Sequence, residues 1–359
     1  MGRMAIFPPK PQMPAQPAPA HMPASAAAQT LAADDVKQAK ALADRIRARF
    51  SQTLIGQEHL RESLILTMVA GGHILIESVP GLAKTTAAQT LATSVSGTFK
   101  RIQCTPDLMP SDIVGTQVFD FAAQKFTTQV GPIHANFVLL DEINRSNAKT
   151  QSAMLEAMAE GASTIGGERI ALPKPFMVIA TQNPIEEEGT FALPEAQMDR
   201  FMMKAVMSYP TADEEKRMLA LLTRRGSDML DPMQLQGDRL SMRDVEFLRA
   251  AAKRVYVSDA IMQYAVDIAA TSRGAGSHPV QGLGSLVRLG ASPRASIALV
   301  RIGQANALLK GREYVIPEDV KSMVADVLRH RLVLTFEALA DGVTADQVVD
   351  RIVQAVPVP

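Results

Sequence analysis

Three places in the chain carry side chains that could do chemistry, and each follows a short apolar run. The first is Ser78-Val79-Pro80-Gly81-Leu82-Ala83-Lys84-Thr85-Thr86, which follows Ile74-Leu75-Ile76-Glu77. A strand that passes through a tight loop into a helix offers an anion free backbone N–H groups and the positive end of the helix dipole. Gly81 frees the backbone in mid-loop, Lys84 supplies a point charge for phosphate, and Thr85 a hydroxyl for Mg²⁺. The usual phosphate-loop spacing has glycines where Ser78 and Ala83 stand, so the pattern alone is not met. An ordinary strand-to-helix turn with a solvated lysine remains open for this segment by itself.

The second place is Asp141-Glu142, at the end of Phe137-Val138-Leu139-Leu140. Two carboxylates at the tip of a buried strand are costly unless something cationic meets them. Asp141 could steady Mg²⁺ and Glu142 polarise an attacking water; a plain helix cap is the alternative. The third is Asn183, after Val178-Ile179-Ala180-Thr181-Gln182 and before Pro184. It could orient that water, or merely form an Asx turn ahead of proline. A cationic hydroxyl pair, a double carboxylate and an amide, in that order on three strand ends, are far more specific together than singly.

The elements that must position these groups alternate. Strands are expected at 73–77, 99–103, 136–141, 176–181 and 201–207, with helices at 34–50, 57–68 and 84–95 and further helical stretches between the strands. Asp34 or Asp35 would cap the first helix. Short apolar strands alternating with helices imply a parallel sheet covered on both faces, with ligands at the carboxyl ends of its strands. Beyond Tyr209-Pro210 the pattern is helical, with candidates at 242–254, 258–271, 292–310 and 317–330 and a glycine-rich loop at 274–290. The expected division is a Pro/Ala-rich disordered tail at 1–33, an α/β unit at 34–210 and a helical unit at 211–359. Seven of the 22 prolines, and no acidic residue, fall within the first thirty positions, a composition that cannot offset chain entropy by burial.

Composition excludes several classes. Lys plus Arg total 37 and Asp plus Glu total 37, which argues against a basic nucleic-acid coat and an acidic tail protein. Trp is absent and aromatics make up 4 %, so an aromatic base-stacking platform is not expected. Cys104 is the single cysteine, which rules out an internal disulfide and a CxxC zinc site. No apolar run approaches the roughly 18 residues of a membrane span, and no secretory h-region stands at the start. A cytoplasmic location is the expectation. The six histidines show no metal-like spacing and read as surface or capping residues. Met154, Met158, Met198, Met202 and Met203 read as core.

Taken together, the motifs resemble AAA+ ATPases, and within them the MoxR family. The likeness is carried by Val79-Pro80-Gly81-Leu82-Ala83-Lys84-Thr85, Asp141-Glu142-Ile143-Asn144-Arg145, Ala180-Thr181-Gln182-Asn183-Pro184, Leu193-Pro194-Glu195-Ala196-Gln197-Met198-Asp199-Arg200-Phe201 and Gly290-Ala291-Ser292-Pro293-Arg294-Ala295. It runs from about residue 54 to the end. The chain departs from the family at Ser78, where glycine is usual, at Cys104, where an aromatic is common, and in a longer 274–290 loop.

The resemblance implies an AAA+ P-loop sheet followed by a smaller all-α lid, with ATP and Mg²⁺ as cofactors. It implies that 78–86 form Walker A, with Thr85 and Asp141 at the metal. Glu142 is then the catalytic carboxylate and Asn183 the sensor. Arg200 matches a finger reaching a neighbouring subunit's nucleotide, and Arg294 the sensor 2 arginine. Ile55-Gly56-Gln57 would border the adenine. The likeness further implies a ring, most often a hexamer, a chaperone-like role in maturing protein complexes or inserting metal cofactors, and partners with a von Willebrand factor A domain. A magnesium-chelatase-like or DNA-remodelling subunit, and an assembly protein that binds ATP with little turnover, are the alternatives. Two inserts, 112–133 and 164–170, read as hairpins that face either a central pore or solvent.

Overall fold

The computed structural model describes residues 31–79, 82–184, 189–225, 232 and 235–359. In chain order the first elements are α1 (Ala33–Phe50), α2 (Glu58–Ala70), β1 (Ile74–Glu77), α3 (Lys84–Ser94) and β2 (Phe99–Gln103). Then come α4 (Pro110–Val114), the hairpin β3 (Gly115–Asp120) and β4 (Lys125–Val130), β5 (Phe137–Asp141) and α5 (Ala148–Glu160). A second hairpin, β6 (Ala162–Ile165) and β7 (Glu168–Ala171), precedes β8 (Met177–Gln182), α6 (Glu195–Met198) and β9 (Met203–Val206).

Five strands form one parallel sheet in the order β2-β5-β8-β1-β9. This is the expected sheet, and its strands read as continuous apolar runs because both faces are covered: all five residues of β5 are buried. Side chains alternate between two apolar clusters. Ile74, Ile76, Phe137, Leu139, Ile179 and Met203 join Ala87, Ala88 and Leu91 of α3 on one face. Leu75, Val138, Leu140, Val178 and Ala180 meet Met154, Leu155 and Met158 of α5 on the other. Those methionines, with Met202 and Met203, are core as expected.

The C-terminal part holds α7 (Ala212–Arg225), α8 (Met242–Arg254), α9 (Asp259–Ser272), α10 (Leu283–Leu286), β10 (Val287–Leu289) and α11 (Pro293–Leu309). It closes with α12 (Pro317–Lys321), α13 (Val324–Leu328), β11 (Val333–Leu334), α14 (Phe336–Ala340) and α15 (Ala345–Ala355). Buried residues of α8, α9, α11, α13 and α15 share one apolar cluster with α1, α2 and the first face of the sheet, so the core is continuous across position 210.

Four local expectations are corrected. Neither Asp34 nor Asp35 caps α1: the helix starts at Ala33 with Ala32 as its cap, and both acids sit in the first turn, where they oppose the helix dipole's positive end. Order also starts before 34, because Leu31 is buried in the main cluster; positions 1–30 of the expected tail lie outside the described residues. The helix expected over 317–330 is broken after Lys321, and Arg329–Arg331 close as a 3₁₀ turn. The 274–290 loop contains α10 and β10, and β10 pairs antiparallel with β11 through Val287 and Leu334. Two residues of partner strand are too short a pattern to be read from sequence.

Candidate nucleotide site

The parallel register brings the three strand ends to one edge. Glu77 lies opposite Gln182, and Gln103 opposite Asp141. α3 begins at that edge. Its cap, Ala83, has φ 58°, the left-handed region that favours glycine, which explains why glycine is usual there. Ser78 needs no such freedom: the described non-glycine residues with positive φ are Ala83, Gln124 and Glu142. Its hydroxyl turns onto the Val79 carbonyl at 2.9 Å. Lys84 is buried, and its Nζ donates to the Ser78 carbonyl at 3.2 Å, so the amine is folded back across the loop mouth. Pro80 and Gly81 lie outside the described residues. Thr85 and Thr86 sit in the first turn of α3, and only Thr85 is directed at Asp141, with Oγ1 3.4 Å from Oδ2.

Asp141 is almost fully buried and is held from three sides. Thr181 donates to Oδ1 at 2.7 Å, and Arg101 to Oδ2 at 3.1 Å from Nε and 2.6 Å from Nη2. The same Thr181 oxygen accepts the backbone N–H of Glu142 at 2.9 Å. That bond helps hold Glu142 at φ 57°, a strained conformation for a non-glycine residue that turns its side chain out of the strand line. The Glu142 carboxylate receives Gln103 Nε2 at 3.1 Å and stands 3.3 Å from Arg145 Nε. Asn183 is buried at the end of β8, and its carbonyl accepts from Asn144 at 3.4 Å.

Beside α3 lies a cavity of about 240 Å³ lined by Thr53, Leu54, Ile55, Gln57, Leu82, Ala83, Tyr209, Pro210, Glu215 and Met218. Ile55 and Gln57 therefore face the loop that carries Lys84. An apolar slot with a few polar edges next to a helix N-terminus suits a purine beside its phosphates. Gly56 does not line it. Its φ is +73°, and a Cβ there would come within 2.5 Å of the Glu214 carboxyl carbon, so both conformation and space call for glycine.

Arg200 and Arg294 are not brought to this edge. They line a separate cavity of about 320 Å³ with Asp199, Arg301 and Arg331, and none of the Walker A or Asp141–Glu142 residues takes part. Asp199 is its one carboxylate. Arg331 Nε donates to it at 2.8 Å, Ser292 Oγ at 2.8 Å, and Arg294 stands 3.9 Å away. Arg200 Nη1 donates to the Leu155 carbonyl at 3.0 Å. Ser292 caps α11 and Pro293 opens it, which sets Arg294 in the first turn.

Of the histidines read as surface or capping groups, His330 is in the interior and His73 is half-buried at the start of β1. Burial lowers the pKa of His73 to about 4, and its Nδ1 accepts the Val178 N–H at 2.9 Å. His330 is buried with its pKa well below the ordinary value, first through burial and then through Arg331. Cys104 is buried and its thiol is pushed up to about 12, chiefly by desolvation, so it is packing and not a nucleophile.

Sequence reasoning missed Arg101, Gln103 and Thr181. For the first two only strand geometry offers a signal: Arg101 and Gln103 are two apart and so share a face, and parallel pairing with β5 sets that face beside Asp141. It also missed Tyr209 and Met218, which reach the cavity beside α3 only through tertiary packing.

A parallel sheet with a lysine-bearing loop, a double carboxylate and an amide on adjacent strand ends, followed by helices, is the design of an AAA ATPase. Residues 73–203 match the ATPase family associated with various cellular activities (AAA), and 284–352 match the AAA lid domain. The chain is 44 % identical over 306 residues to Chaperone MoxR1 of Mycobacterium tuberculosis, covering 85 % of this chain and 79 % of that one. It is 28 % identical to Protein MoxR of Paracoccus denitrificans, covering 87 % and 95 %. A crystal structure of a protein from Cytophaga hutchinsonii superposes with a TM-score of 0.83 at 37 % identity, covering 91 % of this chain and 97 % of that one. The chain belongs to the MoxR family of AAA ATPases.

Proposed function

We propose that the chain binds and hydrolyses Mg²⁺-ATP at the edge defined by Lys84, Thr85, Asp141, Glu142 and Asn183, and that its hydrolysis site is completed by a neighbouring copy. The observation that carries this is the division of the chemistry: the P-loop and carboxylates occupy one edge, and Arg200 and Arg294 another cavity. No group of three or more His, Cys, Asp or Glu side chains is arranged to hold a metal among the described residues. Mg²⁺ takes one or two protein ligands plus phosphate oxygens and water. Thr85 and Asp141 fit as those ligands. Bound there, Mg²⁺ would neutralise charge on the phosphates.

Lys84 pairs with phosphate in place of the Ser78 carbonyl, and the start of α3 with Ile55 and Gln57 cradles the nucleotide, Gly56 giving the turn between those two its room. Glu142 accepts the proton of the attacking water, and Asn183 orients it. The planar guanidinium of Arg200 reaches the transferring phosphoryl group of the adjacent subunit, with Arg294 beside it. The 34–210 unit carries the nucleotide and the 211–359 unit forms the lid.

A site split in this way supports a ring of copies, and we favour a hexamer. Chaperone-like remodelling is the role we favour, with a protein client and a partner carrying a von Willebrand factor A domain. The exposed Phe121 and Phe126 at the tip of the β3–β4 hairpin offer apolar surface for a client. No helix among the described residues is long and apolar enough to cross a membrane, which accords with a cytoplasmic role.

Phosphate release by the full chain is the test. Lys84→Ala should weaken nucleotide binding by about 2–5 kcal/mol, in line with truncating one member of a buried charge pair, and abolish release. Wild-type affinity for a fluorescent ATP analogue in that variant would remove the phosphate-loop reading.

A further inference from the structure

The Walker-type carboxylate carries a partner that the ATPase reading does not use. Arg101 sits one strand over from Asp141, two residues before Gln103, and the register sets both on the Asp141 face. Two of its N–H groups converge on one oxygen, Oδ2, at 3.1 and 2.6 Å. That is the oxygen the Thr85 hydroxyl faces at 3.4 Å. The other oxygen is committed to Thr181. A hydrated divalent cation between Thr85 and Asp141 therefore competes with the guanidinium for the same lone pairs, and two cations cannot share them without repulsion. Arg101 is about half exposed, so it has solvent to move into, whereas Asp141 does not.

We propose that Arg101 is a positioning residue that holds the Asp141 carboxylate as a stand-in cation and must give it up to Mg²⁺, so that it sets the metal concentration at which the nucleotide site fills. The inference rests on Thr85 and Asp141 being the metal's side chains. The arrangement extends to Glu142. Arg101 Nη2 donates to Gln103 Oε1 at 2.8 Å, which turns the Gln103 amide N–H towards Glu142 Oε2 at 3.1 Å. Release of Asp141 by Arg101 thus also releases the orientation of Gln103 on the catalytic carboxylate. Asp141, Arg101, Gln103 and Glu142 form one chain of charge-assisted bonds from the metal ligand to the base.

The test is the Mg²⁺ dependence of fluorescent ADP binding by the full-length protein, with binding in EDTA as the check on folding and on the Lys84 loop. Arg101→Gln should lower the half-saturating Mg²⁺ concentration about two- to fivefold, the worth of one half-exposed ion pair at about 1.4 kcal/mol per decade. Arg101→Lys keeps a cation but loses the two-pronged grip. It should fall between wild type and Arg101→Gln, and it serves should the glutamine variant not fold. A half-saturating Mg²⁺ concentration that is unchanged or higher in the variants overturns the inference, since it would make Arg101 a structural residue or a ligand of the nucleotide. Asp141→Asn separates the two levels. If it leaves the Mg²⁺ dependence at the wild-type value, the metal assignment beneath the inference is wrong. If it abolishes the dependence while Arg101→Gln changes nothing, only the inference fails.

Discussion

The edge around Lys84 and the cavity around Asp199 are built on opposite principles. At the edge every charge has an answer within reach: Lys84 on a carbonyl, Asp141 between Thr181 and Arg101, Glu142 between Gln103 and Arg145. In the cavity four arginines surround a single carboxylate, and Arg331 already takes up its charge. A site that is neutral by itself can wait for its ligand without strain, while a surplus of guanidinium groups draws an anion from outside. Under the proposed function the two regions are complementary halves of one catalytic interface, separated within a chain and joined between chains.

The strongest way to break that comparison is to remove the surplus. Arg200→Ala should lower turnover by about 10³- to 10⁵-fold while leaving each subunit's own ATP binding nearly unchanged. Mixing it with Glu142→Gln should restore part of the activity, because some interfaces then pair an intact Glu142 with an intact Arg200. If subunits exchange and nothing returns, the arginine does not act across an interface and the two-halves reading falls.

Next in size is the edge. Glu142→Gln should keep nucleotide binding and reduce turnover by about 10²- to 10⁴-fold, since an amide cannot accept the water's proton. Turnover at the wild-type rate, measured by phosphate release, would reduce Glu142 to a strand-end cap.

Acid should separate the two regions by stability. His73 lines the arginine cavity, and His330 donates to the carbonyl of Phe201, next in the chain to the cavity's Arg200 and Met202. Both are held neutral in the folded state with lowered pKa values, so the unfolded chain binds more protons below the ordinary histidine pKa. Stability is therefore lost as pH falls from about 6.5 towards about 4. His59 has the opposite sign: Asp326 raises its pKa, so its contribution is complete below the unfolded value and fades above it. Thermal melts across this range should show the midpoint falling on the acid side, and a flat profile would mean that neither ring is the neutral form described here.

The smallest effect concerns the loop itself. Ala83 at φ 58° carries a left-handed penalty of roughly 1–2 kcal/mol, against a glycine entropy cost of roughly 0.5–1 kcal/mol. Ala83→Gly should therefore stabilise the fold by up to about 1 kcal/mol in urea titration. A loss of stability would show that the Ala83 methyl packs in the purine slot it lines.

Much of the edge was legible from residue order because short parallel strands announce themselves as unbroken apolar runs, and each functional group sits directly after one. The same period-two logic marks Arg101 and Gln103, but only once β2 is known to pair with β5; alternation alone does not name the neighbour. His330 was misjudged because a single histidine carries no local sign of burial.

The sequence by itself determined the chemistry available: a lysine and threonine at a helix start, an Asp-Glu pair on a buried strand, an amide after the next strand, and two arginines in family-like runs. Only the tertiary structure decided which of these groups meet. Strand order placed β5 between β2 and β8, which gave Asp141 both Arg101 and Thr181. Packing of α11 against the wall of the other cavity sent Arg294 to Asp199 and away from Lys84. Local propensity acts over a few neighbours in the chain, whereas these partnerships join residues about 40 to more than 90 positions apart, and only burial of the shared core fixes them.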